Sequence, residues 1–218
     1  MKAMILAAGR GERMRPLTDA LPKPLLEVQG KPLIVYHIEK LAKNGFKEIV
    51  INLAHLGYKI PDVLGNGSKW NVEITYSDEQ DEGALESAGG IIKALPLLGK
   101  EFLVVNGDVW CDYEFDAGFK LKQRLAHLIL VSNPEHNTKG DFTLNDGVVA
   151  NEGDNKVTFS GIGYYRAEFF KHCSYGKAAL APLLREAMTN RRVSGELYAG
   201  TWRDIGTPER LREANQSL

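Results

Sequence analysis

Short apolar runs bounded by turn residues recur along the first two thirds of the chain. Residues 3–8 (Ala-Met-Ile-Leu-Ala-Ala) form an unbroken apolar run that stops at Gly9, as expected of a strand buried on both faces of a parallel sheet. A Gly- and Arg-rich loop follows, and prolines at 22 and 24 exclude a helix around Lys23. Pro32 then suits the first position of a helix that carries Ile34, His37, Ile38 and Leu41 on one face and stops at Gly45. Residues 48–53 and 72–76 read as strands, 87–98 as a helix, 102–105 as a third buried strand ending at Asn106-Gly107-Asp108, and 127–131 as a fourth.

The texture then changes. Residues 141–159 hold short alternating stretches interrupted at Asn145-Asp146-Gly147 and at Asn151-Glu152-Gly153-Asp154, which predicts hairpins. Leu180, Leu183, Leu184, Ala187 and Met188 form a helical stripe, and Thr207 stands as N-cap before a last helix. The fold class expected is α/β: a doubly wound, mostly parallel, Rossmann-like sheet with helices on both faces and a small antiparallel portion in the C-terminal half. With no low-complexity linker and no internal repeat, residues 1–218 read as a single domain.

Charge and composition remove several function classes. Lys and Arg number 27 against 28 Asp and Glu, a formal net charge of −1, which supplies neither a field for nucleic acid nor a polybasic membrane anchor. The first apolar run is six residues long, too short for a secretory signal, and nothing approaches a membrane span. Cys111 and Cys173 are the two cysteines, too few for a disulfide scaffold or a zinc cluster. The expectation is a cytoplasmic protein with no nucleic-acid or membrane partner; the sequence carries no signal for oligomeric state.

Three segments carry candidate chemistry. The first runs from Leu6 through Gly9, Gly11, Glu12 and Arg13 to Thr18, with Pro22-Lys23-Pro24 beyond. A glycine-rich turn at the end of a parallel strand can bring backbone N–H groups against phosphate oxygens. It lacks the third glycine of a dinucleotide fingerprint and the Gly-Lys-Ser/Thr of a P-loop, and a solvated basic loop is the plain alternative. The second is Asn106-Gly107-Asp108, where a carboxylate ends a buried strand; it suits Mg²⁺, and equally a turn Asp bonded to its own backbone. The third is Asp204-Ile205-Gly206-Thr207-Pro208, whose Asp204 is either a second metal ligand or a loop residue near a helix start.

Together, and in this order, the three segments resemble the nucleotidyltransferases that make nucleotide sugars from sugar 1-phosphates, across essentially the whole chain. The resemblance implies UTP and a sugar 1-phosphate as substrates, N-acetylmuramate 1-phosphate first and mannose 1-phosphate with GTP as the alternative, with Mg²⁺ as cofactor. It implies a nucleotide-binding part over about 1–110 and a sugar-binding part over about 111–218. Ala7, Ala8, Gly9, Gly11, Glu12, Arg13, Lys23 and Gly89 would bind the nucleotide, the amides of Gly11 and Glu12 facing the β- and γ-phosphates. Arg13 would hold the departing pyrophosphate and Lys23 would bridge the two reacting phosphates. Asp108 and Asp204 would hold Mg²⁺, and Asn106, Gly140 and Asp204 would meet the sugar. Arg13, Lys23, Asp108 and Asp204 form the expected catalytic set; their joint presence favours an enzyme over the other class considered, a nucleotide-sugar sensor on the same fold. Of the histidines, His37 reads as a core residue, His55, His127 and His172 as structural or solvated, and His136 as a candidate for the sugar site beside Gly140. Cys111 has no neighbouring cation to lower its thiol pKa, and Trp70 and Tyr113 read as core aromatics.

Overall fold

A computed structural model describes residues 1–217. The first half runs β1 (Lys2–Leu6), α1 (Leu17–Ala20), β2 (Glu27–Val28), β3 (Lys31–Pro32), α2 (Leu33–Lys43), β4 (Glu48–Leu53), α3 (Lys59–Leu64), β5 (Glu73–Asp78), α4 (Glu86–Leu98) and β6 (Glu101–Asn106). The second runs β7 (Val109–Cys111), β8 (Ala126–Val131), β9 (Thr143–Asn145), β10 (Val148–Ala150), β11 (Thr158–Arg166), α5 (Leu180–Thr189), β12 (Val193–Tyr198), β13 (Trp202–Asp204) and α6 (Pro208–Ser217).

Nine strands share one sheet in the order β5-β4-β1-β6-β11-β8-β12-β10-β9. From β5 to β6 the strands are parallel; β11 runs antiparallel between β6 and β8, and β10 and β9 close the far edge antiparallel. Apolar positions separate to the two faces. Ala3, Ile5, Ile51 and Val105 lie under α2 and α3, against Ile34, Ile38, Leu41, Ile60 and Leu64. Met4, Val50 and Val104 lie under α4 and α5, against Ala88, Ile91, Ala94 and Leu184. Each fully buried aliphatic side chain stabilises the fold by about 1.5–3 kcal/mol, so a strand apolar on both sides is held by both helix layers. No helix among the described residues is long and apolar enough to cross a membrane.

Several expectations need correction. Pro32 is the N-cap of α2, in extended backbone, and not its first residue. The prolines beside Lys23 do not exclude helical structure: residues 23–25 make one 3₁₀ turn, with Leu25 N–H donating to Pro22 O and Leu26 N–H to Lys23 O. Pro22 lies outside that turn and Pro24 within its first turn, where no N–H is needed. The Asn145-Asp146-Gly147 turn does join a hairpin, β9 to β10, but residues 151–154 do not join another. The chain instead leaves the sheet there and returns as β11, nine residues inserted at the centre between β6 and β8.

Candidate active site

The chain winds from β1 outward to β4 and β5, then crosses back to place β6 on the other side of β1. That reversal opens a crevice at the carboxyl ends of β1 and β6, where such sheets bind ligands. Leu6 pairs with Asn106, and Gly107 N–H donates to Leu6 O at 2.9 Å. A Cβ on Gly107 would lie 2.8 Å from Leu6 O, so the close approach of the two strand ends needs glycine. Beyond β1, no backbone N–H from residue 8 to residue 13 donates to another group among the described residues. The loop is held from below instead. Gly11 is left-handed (φ 63°), its carbonyl accepts from Met14 N–H and from Thr18 Oγ1 at 2.8 Å each, and a Cβ there would meet Thr18 Cγ2 at 2.8 Å. A run of unpaired amides on a fixed loop is an anion cradle.

Behind this loop lies a buried polar chain that the sequence reading missed. Ala7 N–H donates to Asn52 Oδ1 at 2.7 Å, Asn52 Nδ2 to Glu79 Oε1 at 2.8 Å, and Leu85 N–H to Glu79 Oε2 at 2.9 Å. Glu79 is fully buried, and burial pushes its carboxyl above the usual range despite these bonds and the Lys93 charge. The network ties the end of β1 to the start of α4 through β4. The charged loop before α4 is fastened again at its tip, where Glu82 pairs with Lys93 at 2.5 Å and accepts from Tyr175. One signal was legible: Asn52 is a polar residue inside the apolar run of β4.

Lys23 is 8% exposed, and its Nζ lies 2.6 Å from Asp108 Oδ2. Asp204 reaches the same place through a two-stranded ribbon in which it pairs with Val109, while Ile205 N–H donates to Asp108 O at 2.8 Å. Asp204 Oδ2 accepts from Arg210 at 2.6 Å, and His136 Nε2 stands 3.3 Å from it. The Oδ1 atoms of both aspartates have no partner among the described residues. No group of three or more His, Cys, Asp or Glu among the described residues is placed to hold a metal ion. The donor set nonetheless suits a hard cation of the Mg²⁺ kind, which takes one or two carboxylates and completes its shell with water and phosphate oxygens.

Three cavities of about 200, 420 and 500 Å³ meet at Asn106. Ala7, Ala8, Gly9, Lys23 and Asp108 line the first, with Glu86 and Ser87 from the start of α4 opposite. Arg13, Asp108, His136 and Asp204 line the second. Of the expected residues, Gly11, Glu12, Gly89 and Gly140 line none of these three cavities. Gly89 packs α4 against the following loop: its N–H donates to Ala178 O at 3.1 Å, and a Cβ would meet Gly176 O at 2.3 Å. Gly140 gives its N–H to Asn137 O at 3.1 Å, closing a turn, and its neighbour Asp141 lines the cavity instead. His37 is buried beneath β7, where burial depresses its pKa to about 4 against the raising effect of a bond to the Val109 backbone; its Nε2 has no partner. Cys111 is buried, which raises its thiol to about 11.

Comparison with known proteins agrees with this geometry. A profile of the Nucleotidyl transferase family matches residues 2–158. The chain is 57% identical to the N-acetylmuramate alpha-1-phosphate uridylyltransferase of Neisseria meningitidis serogroup B, over 98% of this chain and 96% of that one. It is 29% identical to the mannose-1-phosphate guanylyltransferase catalytic subunit beta of Danio rerio, over 96% of this chain but 62% of that protein, less than two thirds of its length. A crystal structure from Bacillus anthracis, described as a glucose-1-phosphate thymidylyltransferase in complex with sucrose, shares the fold with a TM-score of 0.86. That likeness covers 99% of this chain and 94% of that one at 23% identity.

Proposed function

The chain belongs to the nucleotidyl transferase family, and from that premise we propose that it joins UTP to N-acetylmuramate 1-phosphate. The products would be UDP-N-acetylmuramate and pyrophosphate, an activity suited to cell-wall recycling in the cytoplasm. The observation that carries the reaction type is the meeting of the glycine loop, through Ala8, Gly9 and Arg13, with a buried lysine and two carboxylates at one crevice. The choice of uridine and of the muramyl acceptor is supported by the Neisseria relative, whose likeness extends over nearly all of both chains.

The reaction is an in-line displacement: an acceptor phosphate oxygen bonds to the α-phosphorus of UTP, and the bond to the β-phosphate breaks with its electron pair leaving on pyrophosphate. Its obstacle is repulsion, about 4 kcal/mol for each like-charge pair at 4 Å and an effective dielectric near 20. No covalent nucleophile is needed, since positioning and charge neutralisation carry phosphoryl chemistry. The amides of residues 8–13 hold the triphosphate tail, and Arg13 takes up charge growing on the departing pyrophosphate. Lys23, held by Asp108 as a compact point charge, lies between the two reacting phosphates. Asp108 and Asp204 offer their Oδ1 atoms to a divalent cation, for which we choose Mg²⁺. When bound, that ion supplies Lewis-acid polarisation of the α-phosphate and a template for the displacement. Asn106, where the cavities meet, orients the acceptor sugar.

The test is pyrophosphate release by pure protein with Mg²⁺, using UTP, GTP, CTP and dTTP against several sugar 1-phosphates. The highest kcat/KM is expected for UTP with N-acetylmuramate 1-phosphate. Release with GTP and mannose 1-phosphate but none with the expected pair overturns the substrate choice, and no release with any pair overturns the enzymatic reading.

A further inference from the structure

The largest of the three cavities that meet at Asn106 is unlike the other two. It holds about 500 Å³, within the usual range of about 300–1,000 Å³ for small-molecule sites. Its walls are apolar: Phe142, Phe159, Leu180 and Leu184, from the loop before β9, from β11 and from α5. It opens onto the crevice through Glu86, Ser87 and Asn106. Three charged groups reach it. Glu86 is paired with Lys177 at 3.4 Å. Asp141 spends both oxygens on the protein, Oδ1 on Asn137 Nδ2 at 3.2 Å and Oδ2 on Phe159 N–H at 2.8 Å. The third, Arg185, stands on α5 one turn beyond Ala181; its Nε donates to Asn151 Oδ1 at 2.9 Å, and it forms no ion pair among the described residues.

The other basic side chains around Asn106 stand apart from the apolar walls, and none of them lines this cavity. Lys23 is held by Asp108, and His136 lies against Asp204 and Arg210. Arg13 stands on the glycine loop. An arginine whose Nε is tethered while the rest of its fork has no carboxylate, beside an apolar wall, is suited to one planar anion. We infer that Arg185 is the specificity residue for the acceptor, reading a carboxylate on the sugar while Leu180, Leu184 and Phe159 cover apolar substituents beside it. The inference rests on the acceptor proposed above: N-acetylmuramate carries an O3-linked lactyl group that ends in a carboxylate and bears a methyl, and N-acetylglucosamine is the same sugar without it. Arg185 is exposed, so the discrimination comes from the ion pair it gains with the carboxylate, which the analogue without the lactyl group cannot supply.

The experiment measures kcat/KM with UTP for N-acetylmuramate 1-phosphate and for N-acetylglucosamine 1-phosphate, in the wild type, Arg185→Leu and Arg185→Lys, with dissociation constants of both sugar phosphates alongside. In Arg185→Leu the preference for the muramyl acceptor is expected to fall at least tenfold, through its KM and dissociation constant and not through kcat. Arg185→Lys keeps part of the preference, because the charge remains and the fork is lost. Equal losses for both acceptors, as a purely structural role would give, or an unchanged ratio, overturn the inference while leaving the proposed reaction intact. A wild type that neither turns over nor binds N-acetylmuramate 1-phosphate overturns the proposed reaction itself, and Arg185 with it.

Discussion

On the β1 side of the crevice the loop is backed by main-chain amides and buried polar side chains; on the β11 and α5 side the polar groups His136 and Arg185 are exposed. Asn52 is 3% exposed and Glu79 0%, whereas the His136 side chain is 38% exposed and Arg185 is open to solvent. The first arrangement is preorganised by hydrogen bonds that folding itself requires, since an unpaired buried polar group costs about 1–3 kcal/mol. The second is free to change without disturbing the core. The difference teaches where stability and specificity reside under the proposed reaction: the triphosphate side rests on structure that cannot vary cheaply, and the acceptor side on polar side chains that can.

The largest effect that sharpens this contrast is expected at the carboxylates. Asp108→Asn should keep the fold and lose at least a hundredfold in turnover, from the several kcal/mol a metal clamp can contribute, measured as kcat at saturating substrates together with circular dichroism. A variant that keeps wild-type turnover would remove Asp108 from the site.

Next comes Asn52→Leu, which strands the Ala7 N–H and one Glu79 oxygen inside the protein. It is expected to destabilise by about 2–5 kcal/mol in urea unfolding and to weaken UTP binding as well. Arg185→Leu, in contrast, should leave the unfolding midpoint in place. A destabilised Arg185→Leu, or an unaffected Asn52→Leu, breaks the comparison.

The smallest effect is a pH dependence. His37 binds its proton with a pKa of about 4 when folded and 6.5 when exposed, so between these values the unfolded chain holds more protons and stability falls as pH falls. Between pH 7 and pH 5 the loss through His37 is about 2 kcal/mol, and His37→Gln should flatten that part of the urea-midpoint profile. An unchanged slope would show that His37 does not stay neutral in the folded state.

The same contrast decides how much was legible in the chain. β1 and β6 are built on apolar runs, β4 on one interrupted by Asn52 alone, and α2 carries a clean apolar stripe, so local pattern was enough to place them. β11 and β12 carry Ser160-Gly161 and Ser194-Gly195-Glu196 inside their spans. These strands exist because β8 pairs with both, over sequence separations that no window can see. The same is true of the β7 and β13 ribbon, three residues each, which brings Asp204 beside Asp108 from 96 positions away. Arg13, Lys23, Asp108 and Asp204 are therefore proposed from motif rather than from pattern. Asn52, Glu79 and Arg210 were missed because their roles lie in partners distant along the chain. Gly89 and Gly140 turn their N–H groups to Ala178 and Asn137, a direction that a motif does not give because it is settled by the fold.

The central claim is that Asp108 and Asp204 act as one unit, and a double-mutant cycle of kcat/KM across the wild type, Asp108→Asn, Asp204→Asn and the double variant tests it most directly. If both carboxylates hold the same cation, the double variant is expected to be no more than a few-fold worse than the poorer single variant. Losses that multiply across the cycle would mean two independent roles and would contradict the account.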